Sequence, residues 1–224
     1  MPCRYECVMP PAPGMLMLRG IVIPPARVLR VMGYRDSAGV RAPVRRTAEA
    51  MAELAGAAAA PAAAWRRVVV AGCSIDGLVL SDGTTFGGPT FAAYLSGCHE
   101  AAVFVLSLGG RFDSTQKNLA ASERPLEAYM LEIAGWIAIE EATRRFRSHL
   151  EQEAGRDGFA LTRRLAPGYS SRIEGRKVEW PLEDQPRLFS LFDEADLPAR
   201  LFEGGCTMTP KMSRSGLYGL RLQQ

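Results

Sequence analysis

The segment that most restricts the fold starts near Ser122 and runs PLEAYMLEIAGWIAIEEATRRFRSHLEQEA. Pro125 suits a first helical turn, where its missing N–H has no partner to lose. Leu126, Met130, Ile133 and Ile137 recur at helical spacing and form one apolar stripe. With residues about 100° apart, Glu141 falls near the middle of that stripe and Glu140 toward its edge. A carboxylate on an apolar stripe is costly unless it is paired or hydrogen-bonded. Either Glu141 serves a site, or the stripe ends there and Glu141 reaches solvent. The pattern alone leaves both open.

Other elements follow from shorter patterns. AAVFVLSLGG is apolar from end to end and reads as a fully buried strand. RRVVVAGCSIDGLVL reads as strand, turn and strand around Asp76-Gly77. VRRTAEAMAELAGAA reads as a helix, and Pro61 in the alanine run after it breaks helical continuity. GPTFAAYLSGCHEA also reads as helical. WPLEDQPRLFSLFD reads as a turn feeding a short amphipathic helix. ARLFEGGCTMTPKMSRSGLYGLRL reads as two strands joined by a Pro-containing turn. Residues 1–25 fit a signal peptide badly, because Arg19 interrupts their apolar piece. They are expected to be an irregular extension, with Met15 and Met17 as alternative starts, and residues 26–224 to form the domain. Strands come in hairpin-like pairs and beside helices without regular alternation, which favours an α+β fold over a doubly wound one.

Bulk properties exclude several classes. The chain has 224 residues, 47% of them hydrophobic, which suits one globular domain. A net charge of +3 with mixed signs, and no basic block interleaved with aromatics, argues against nucleic acid. No apolar run reaches the roughly 20 residues of a membrane helix, so no membrane partner is expected. Five scattered cysteines, Cys3, Cys7, Cys73, Cys98 and Cys206, suggest neither a disulfide framework nor a zinc site. A reduced, cytoplasmic setting is expected. His99 and His149 offer no metal set, and His149, in a charged helical stretch, is expected to face solvent. Gly72 follows a strand, but the further glycines of a dinucleotide-binding turn are missing. No G-x-S-x-G elbow supports a nucleophilic triad. No catalytic residue or bound metal is therefore expected.

The stretch TRRLAPGYSS, 162–171, offers different chemistry. An arginine fork matches a carboxylate. Pro167-Gly168 makes a sharp turn, and a glycine admits close approach of a ligand to the backbone. Tyr169 can stack on a flat heterocycle or bond to a sugar. The plain alternative is a surface loop.

The order VLRVMGYR, AAVFVLSLGGRFD, EAYMLEIAGWIAIEEA, RRLAPGY with WPLEDQPRLFSLFD, and TPKMSRSGLYGL resembles one family. It is similar to the activation (reactivation) domain of vitamin B12-dependent methionine synthase, above all to its free-standing forms, from Ala26 onward. The resemblance implies a helmet-like α+β domain around a bent, mainly antiparallel sheet flanked by helices. It implies S-adenosylmethionine as ligand. Arg164 would hold the ligand's carboxylate, Ala166 and Gly168 would give backbone contacts around the adenosine, and Tyr169 would line the same wall. Tyr218, in SGLY, matches a C-terminal ligand-contacting tyrosine, and Glu141 matches a helix carboxylate near the amino and sulfonium end. A one-residue shift would give that place to Glu140.

The resemblance also implies the reaction. Inactive cob(II)alamin takes one electron from a flavodoxin or other reductase and a methyl group from S-adenosylmethionine, regenerating methylcobalamin. Cobalamin would be carried by a partner chain, since no D-x-H-x-x-G motif occurs here. That partner would be a methionine synthase lacking its own activation domain, or another corrinoid protein. A third reading is a module that binds S-adenosylmethionine and catalyses nothing. Two departures stand out. The family's aspartate contact in an N-terminal segment has no match, and Asp36 and Asp113 are weak substitutes. The charged stretch SSRIEGRKVE separates Tyr169 from Trp180, where free-standing relatives run almost directly into W-P-L, so it is expected to affect partner docking more than ligand binding.

Overall fold

The computed structural model describes residues 13–36, 39–173, 175–193 and 195–223. Its centre is a seven-stranded sheet built from β1 (Gly14–Met17), β2 (Ala62–Ser74), β3 (Gly77–Leu80), β4 (Thr85–Gly87), β5 (Glu100–Ser107), β6 (Phe159–Leu165) and β11 (Ser213–Leu222). The spatial order is β4-β3-β2-β5-β11-β6, with β1 on the first half of β2. Every pairing is antiparallel. Two small hairpins stand apart: β7 (Ser170–Ile173) with β8 (Arg176–Glu179), and β9 (Arg200–Leu201) with β10 (Met208–Thr209). The helices are α1 (Pro25–Val31), α2 (Ala42–Ala58), α3 (Thr90–Leu95), α4 (Gly110–Ala121), α5 (Pro125–Arg156) and α6 (Gln185–Ser190). The expected α+β class, with a bent and mainly antiparallel sheet flanked by helices, is the observed one.

Strand β5 explains why the sheet is covered on both faces. Its side chains alternate between two apolar layers. Ala102, Phe104 and Leu106 pack with α1, α2, α4 and α5. Ala101, Val103 and Val105 pack with Phe86, Phe91, Trp180 and Phe192 on the other face. The long helix α5 buries Met130, Ile133 and Ile137 as its stripe requires, although Leu126 at its start stays 43% exposed.

Several expectations are corrected. From residue 13 the N-terminal segment is ordered: β1 pairs with Ala62–Trp65, and Leu18, Ile21 and Ile23 are buried. Those apolar side chains make it part of the core, while residues 1–12 lie outside the described residues. Helix α3 is only six residues long, because Gly97 takes a φ of +73° and the chain turns into β5. The C-terminal stretch holds three strands, not two, since β9 and β10 pair before a cis Thr209-Pro210 bond leads to β11. His149 is half-buried and meets the Trp65 ring edge-on, with centroids 6.2 Å apart. The charged stretch after Tyr169 is a hairpin, β7–β8, closed by Gly175.

Candidate functional site: a groove around Tyr169

The opening motif folds as a tight turn. The Tyr169 N–H donates to Ala166 O at 3.2 Å, with Pro167 and Gly168 at the two central positions and Gly168 at φ +77°. This is the pattern of a type II turn, which requires a positive φ at its third residue. The Gly168 N–H donates to Trp180 O at 2.8 Å, and the Trp180 N–H returns to Tyr169 O at 3.2 Å. Trp180 is the seat beneath the turn. It is buried against Phe86 and Phe91, and its Nε1 donates to Asp184 at 2.9 Å. The backbone N–H of Gly168 is thus engaged within the protein rather than free for a ligand. The Ala166 carbonyl already accepts one bond and keeps a second lone pair.

Arg164 owes its direction to a β-bulge. Tyr218 pairs with Arg164 and Leu220 with Leu161, so Thr162 and Arg163 together face Gly219. The extra residue resets the alternation of β6 and puts Arg164 on the same side of the sheet as Tyr218. Gly216 lets β6 come this close: a Cβ there would lie 2.3 Å from Leu165 O, at a φ of +148°. The Arg164 guanidinium lies over the Tyr169 ring, 5.2 Å from its centroid. Its Nη1 is buried and has no hydrogen-bond partner.

Three adjoining recesses meet at Tyr169, which lines all of them and is 57% exposed. The first, about 280 Å³, lies beside β7 and includes Thr90, Arg163 and Ser171. The second, about 480 Å³, lies against α1 and α5 and includes Arg27, Trp136, Glu140 and Arg214. The third, about 530 Å³, runs between the Arg164–Pro167 segment and α4, and includes Asp113, Lys117, Lys211 and Arg214. Its far wall is pinned in place. Asp113 Oδ2 accepts the Lys211 backbone N–H at 2.7 Å, and Lys211 Nζ bonds Glu132 of α5 at 2.6 Å.

The expected site residues separate into two groups. Arg164, Ala166 and Tyr169 come together in the third recess, with Gly168 in the adjoining turn. Glu141 does not join them. It accepts hydrogen bonds from Arg144 at 2.6 Å and from Arg145 at 2.8 Å, and Arg145 reaches on to Arg19 O at 3.1 Å. The Arg144 bonds, with Arg145 adding, hold its carboxyl below the usual carboxylate range. Neither solvent nor the groove takes Glu141; it ties α5 to the N-terminal segment. Glu140, one step around the helix, lines the second recess instead and bonds Arg214. That hydrogen bond lowers the Glu140 carboxyl below its usual range, and the Arg164 and Arg27 charges act in the same direction.

Tyr218 is likewise displaced from the expected role. It is buried, lines none of the three recesses, and stacks on Phe104 with centroids 5.5 Å apart. Burial pushes its phenol pKa up. As the cross-strand partner of Arg164, it supports the arginine from the core side. Asp36 lines none of the recesses, whereas Asp113 lines the third. Arg214 went unrecognised in the sequence, although its spacing from Tyr218 on a strand places both on one face.

A crystal structure of the MetH reactivation domain bound to AdoHcy superposes on this chain with a TM-score of 0.59 and 13% sequence identity. The match covers 96% of this chain and 81% of that one. It establishes the reactivation-domain fold over nearly the whole chain. No protein-family model and no curated protein matches the sequence. Among the described residues, no helix is long and apolar enough to cross a membrane, and no cluster of histidine, cysteine, aspartate or glutamate could hold a metal ion.

Proposed function

We propose that this chain binds S-adenosylmethionine in the groove around Tyr169 and presents its methyl group to a cobalamin carried by a partner protein. The observation that carries this reading is the type II turn joining Arg164 to Tyr169 at the groove, with Arg164 Nη1 buried and unpaired. An unpaired guanidinium nitrogen fits a ligand carboxylate, to which arginine gives short, charge-assisted bonds. The exposed Tyr169 ring offers a stacking face beside it. The likeness to a fold seen with AdoHcy bound points the same way.

Glu140, rather than Glu141, is the helix carboxylate available near the sulfonium end. The work of this chain is then positioning: it binds the ligand, aims the methyl group and limits water at the reacting atoms. Cobalamin, when docked, supplies the nucleophile, and the electron comes from a flavodoxin or another reductase. Trp136 and Tyr169, each more than half exposed on the rim, are rings that a docking partner would cover. A methionine synthase without its own activation domain is the first candidate partner, and another corrinoid methyltransferase is the second.

The test is reconstitution of the chain with a cob(II)alamin-loaded partner, a one-electron reductant and S-adenosylmethionine. The expected result is AdoHcy and methylated corrinoid in equal amounts. Binding of S-adenosylmethionine without any methyl transfer to either type of partner would leave a binding module and remove the repair function.

A further inference from the structure

The first recess differs from its two neighbours in what lines it. The second contains Glu140 and the third Asp113, whereas no acidic residue lines the first. Its polar lining is Thr90, Arg163, Arg164, Ser170 and Ser171. An ammonium or sulfonium finds no counter-charge there, and the reading above assigns it no part of the ligand. Ser170 and Ser171 come from β7, which opens the hairpin by which this chain departs from the resemblance.

Thr90 supplies a buried hydroxyl. It is 2% exposed, and its Oγ1 has no hydrogen-bond partner among the described residues. Other helical threonines are satisfied locally: Thr47, Thr115 and Thr143 donate to the carbonyls of Pro43, Arg111 and Ile139, four residues back. Thr90 is the first residue of α3, so no helical carbonyl lies four residues before it. A buried polar atom left in this state calls for an explanation. Arg163 stands on the same recess. Its guanidinium lies 4.6 Å from the centre of the Tyr94 ring, and its Nη1 donates to Tyr94 Oη at 3.2 Å. That contact fixes the head and uses one of its five N–H donors. Neither Arg163 nor Arg164 is joined to a carboxylate by a salt bridge among the described residues.

We propose that the first recess binds a tetrahedral oxyanion, either a phosphate ion or the phosphate group of a small ester. Arg163 supplies the positive charge, and Thr90 and Ser171 donate hydroxyl hydrogen bonds. A hydroxyl hydrogen rotates to suit its acceptor, and bonds to an ionised acceptor are the short, strong ones. At about 280 Å³ the recess falls just below the roughly 300–1,000 Å³ of pockets for drug-sized ligands, which suits a small group. Arg164 borders this recess and the third. An anion here therefore weakens binding of a carboxylate on the other side of that guanidinium without excluding it.

Inorganic phosphate is the probe, titrated at constant ionic strength against chloride and followed by its phosphorus NMR line width. The expected result is saturable binding. Thr90→Val keeps the shape of the side chain and removes its hydroxyl. It is expected to weaken phosphate binding by about tenfold or more, the scale of a hydrogen bond to a charged group, and to leave AdoHcy affinity by calorimetry unchanged. Ser171→Ala, at a half-buried strand position, is expected to weaken phosphate binding by about threefold and tests the site independently of how valine packs. Ribose phosphate separates the two sources: binding tighter than that of phosphate assigns the recess to an ester, and weaker binding assigns it to the free ion. No saturable phosphate binding by the wild type, or unchanged binding in both variants, would overturn the proposal. So would complete exclusion of phosphate by saturating AdoHcy, which would make this recess the carboxylate end of that ligand. Phosphate binding without AdoHcy binding would sink the S-adenosylmethionine reading and leave this inference standing.

Discussion

The two walls of the third recess are built in different ways. The Arg164–Tyr169 wall is local: a bulge, a proline and a glycine place an arginine and a tyrosine within six residues, on a seat made by Trp180. The facing wall is assembled from a distance. Asp113 comes from α4, Lys211 from the segment entering β11 and Arg214 from β11 itself, with Glu132 of α5 holding Lys211 from behind. A local wall can be found as a motif. A distributed wall exists only after the sheet has brought its parts together.

This contrast can be broken at its seat. Trp180→Ala removes a buried indole, and such large-to-small changes cost about 3–5 kcal/mol. Urea denaturation checks that figure, and the local wall is expected to fail before the α4–α5 wall does. A cost below about 1 kcal/mol, well short of a buried-aromatic truncation, would show that the turn stands without its seat.

Arg164→Ala acts on the local wall without touching the far one. The expected loss of S-adenosylmethionine affinity is roughly 1.5–3 kcal/mol, the scale of a charge-assisted hydrogen bond. Unchanged affinity by calorimetry would take Arg164 out of the site.

The two neighbouring glutamates sharpen the comparison within a single helix. Glu140→Gln is expected to weaken S-adenosylmethionine binding by about fivefold or less, as for a partly exposed ion pair. Glu141→Gln is expected to leave ligand affinity unchanged and to lower stability slightly at neutral pH. Because its arginine partners depress the folded-state pKa of Glu141, its contribution is present above the unfolded pKa and fades as pH falls through the folded one. The wild-type and Glu141→Gln stability curves should therefore converge in acid. A ligand effect at Glu141 and none at Glu140 would reverse the assignment.

The smallest effect is expected at the β7–β8 hairpin. Replacing its tip, residues 172–177, by a two-glycine turn should change S-adenosylmethionine affinity by less than about twofold, as surface changes usually do. Partner docking should change instead. Loss of ligand affinity with the fold intact would bring the hairpin into the binding wall.

The same contrast explains what the sequence disclosed. The α+β class was legible from the irregular order of strands and helices, and buried strand β5 because its run is apolar from end to end. The turn at Ala166–Tyr169 was legible because proline and glycine have fixed backbone meanings. Helix α4 was not, since only Phe112 and Leu119 are buried along it and two anchors make no periodicity. With α4 hidden, Asp113 could be named only as a weak substitute for the family's aspartate contact. Glu140 and Glu141 differ by one step of helical phase, and the stripe could not decide which carboxylate Arg214 would meet. Tyr218 carried the right strand and the wrong depth: pairing with Arg164 places it correctly, but β11 lies inside the sheet, and the core takes the ring. Gly216 could be seen as a glycine, yet its reason is a carbonyl on β6, far away in sequence.

The most direct measurement is a crystal structure of the chain with AdoHcy bound. The account predicts the ligand in the groove beside Tyr169, with its carboxylate on Arg164. A ligand bound elsewhere, or bound here with its amino-acid group away from Arg164, would contradict it.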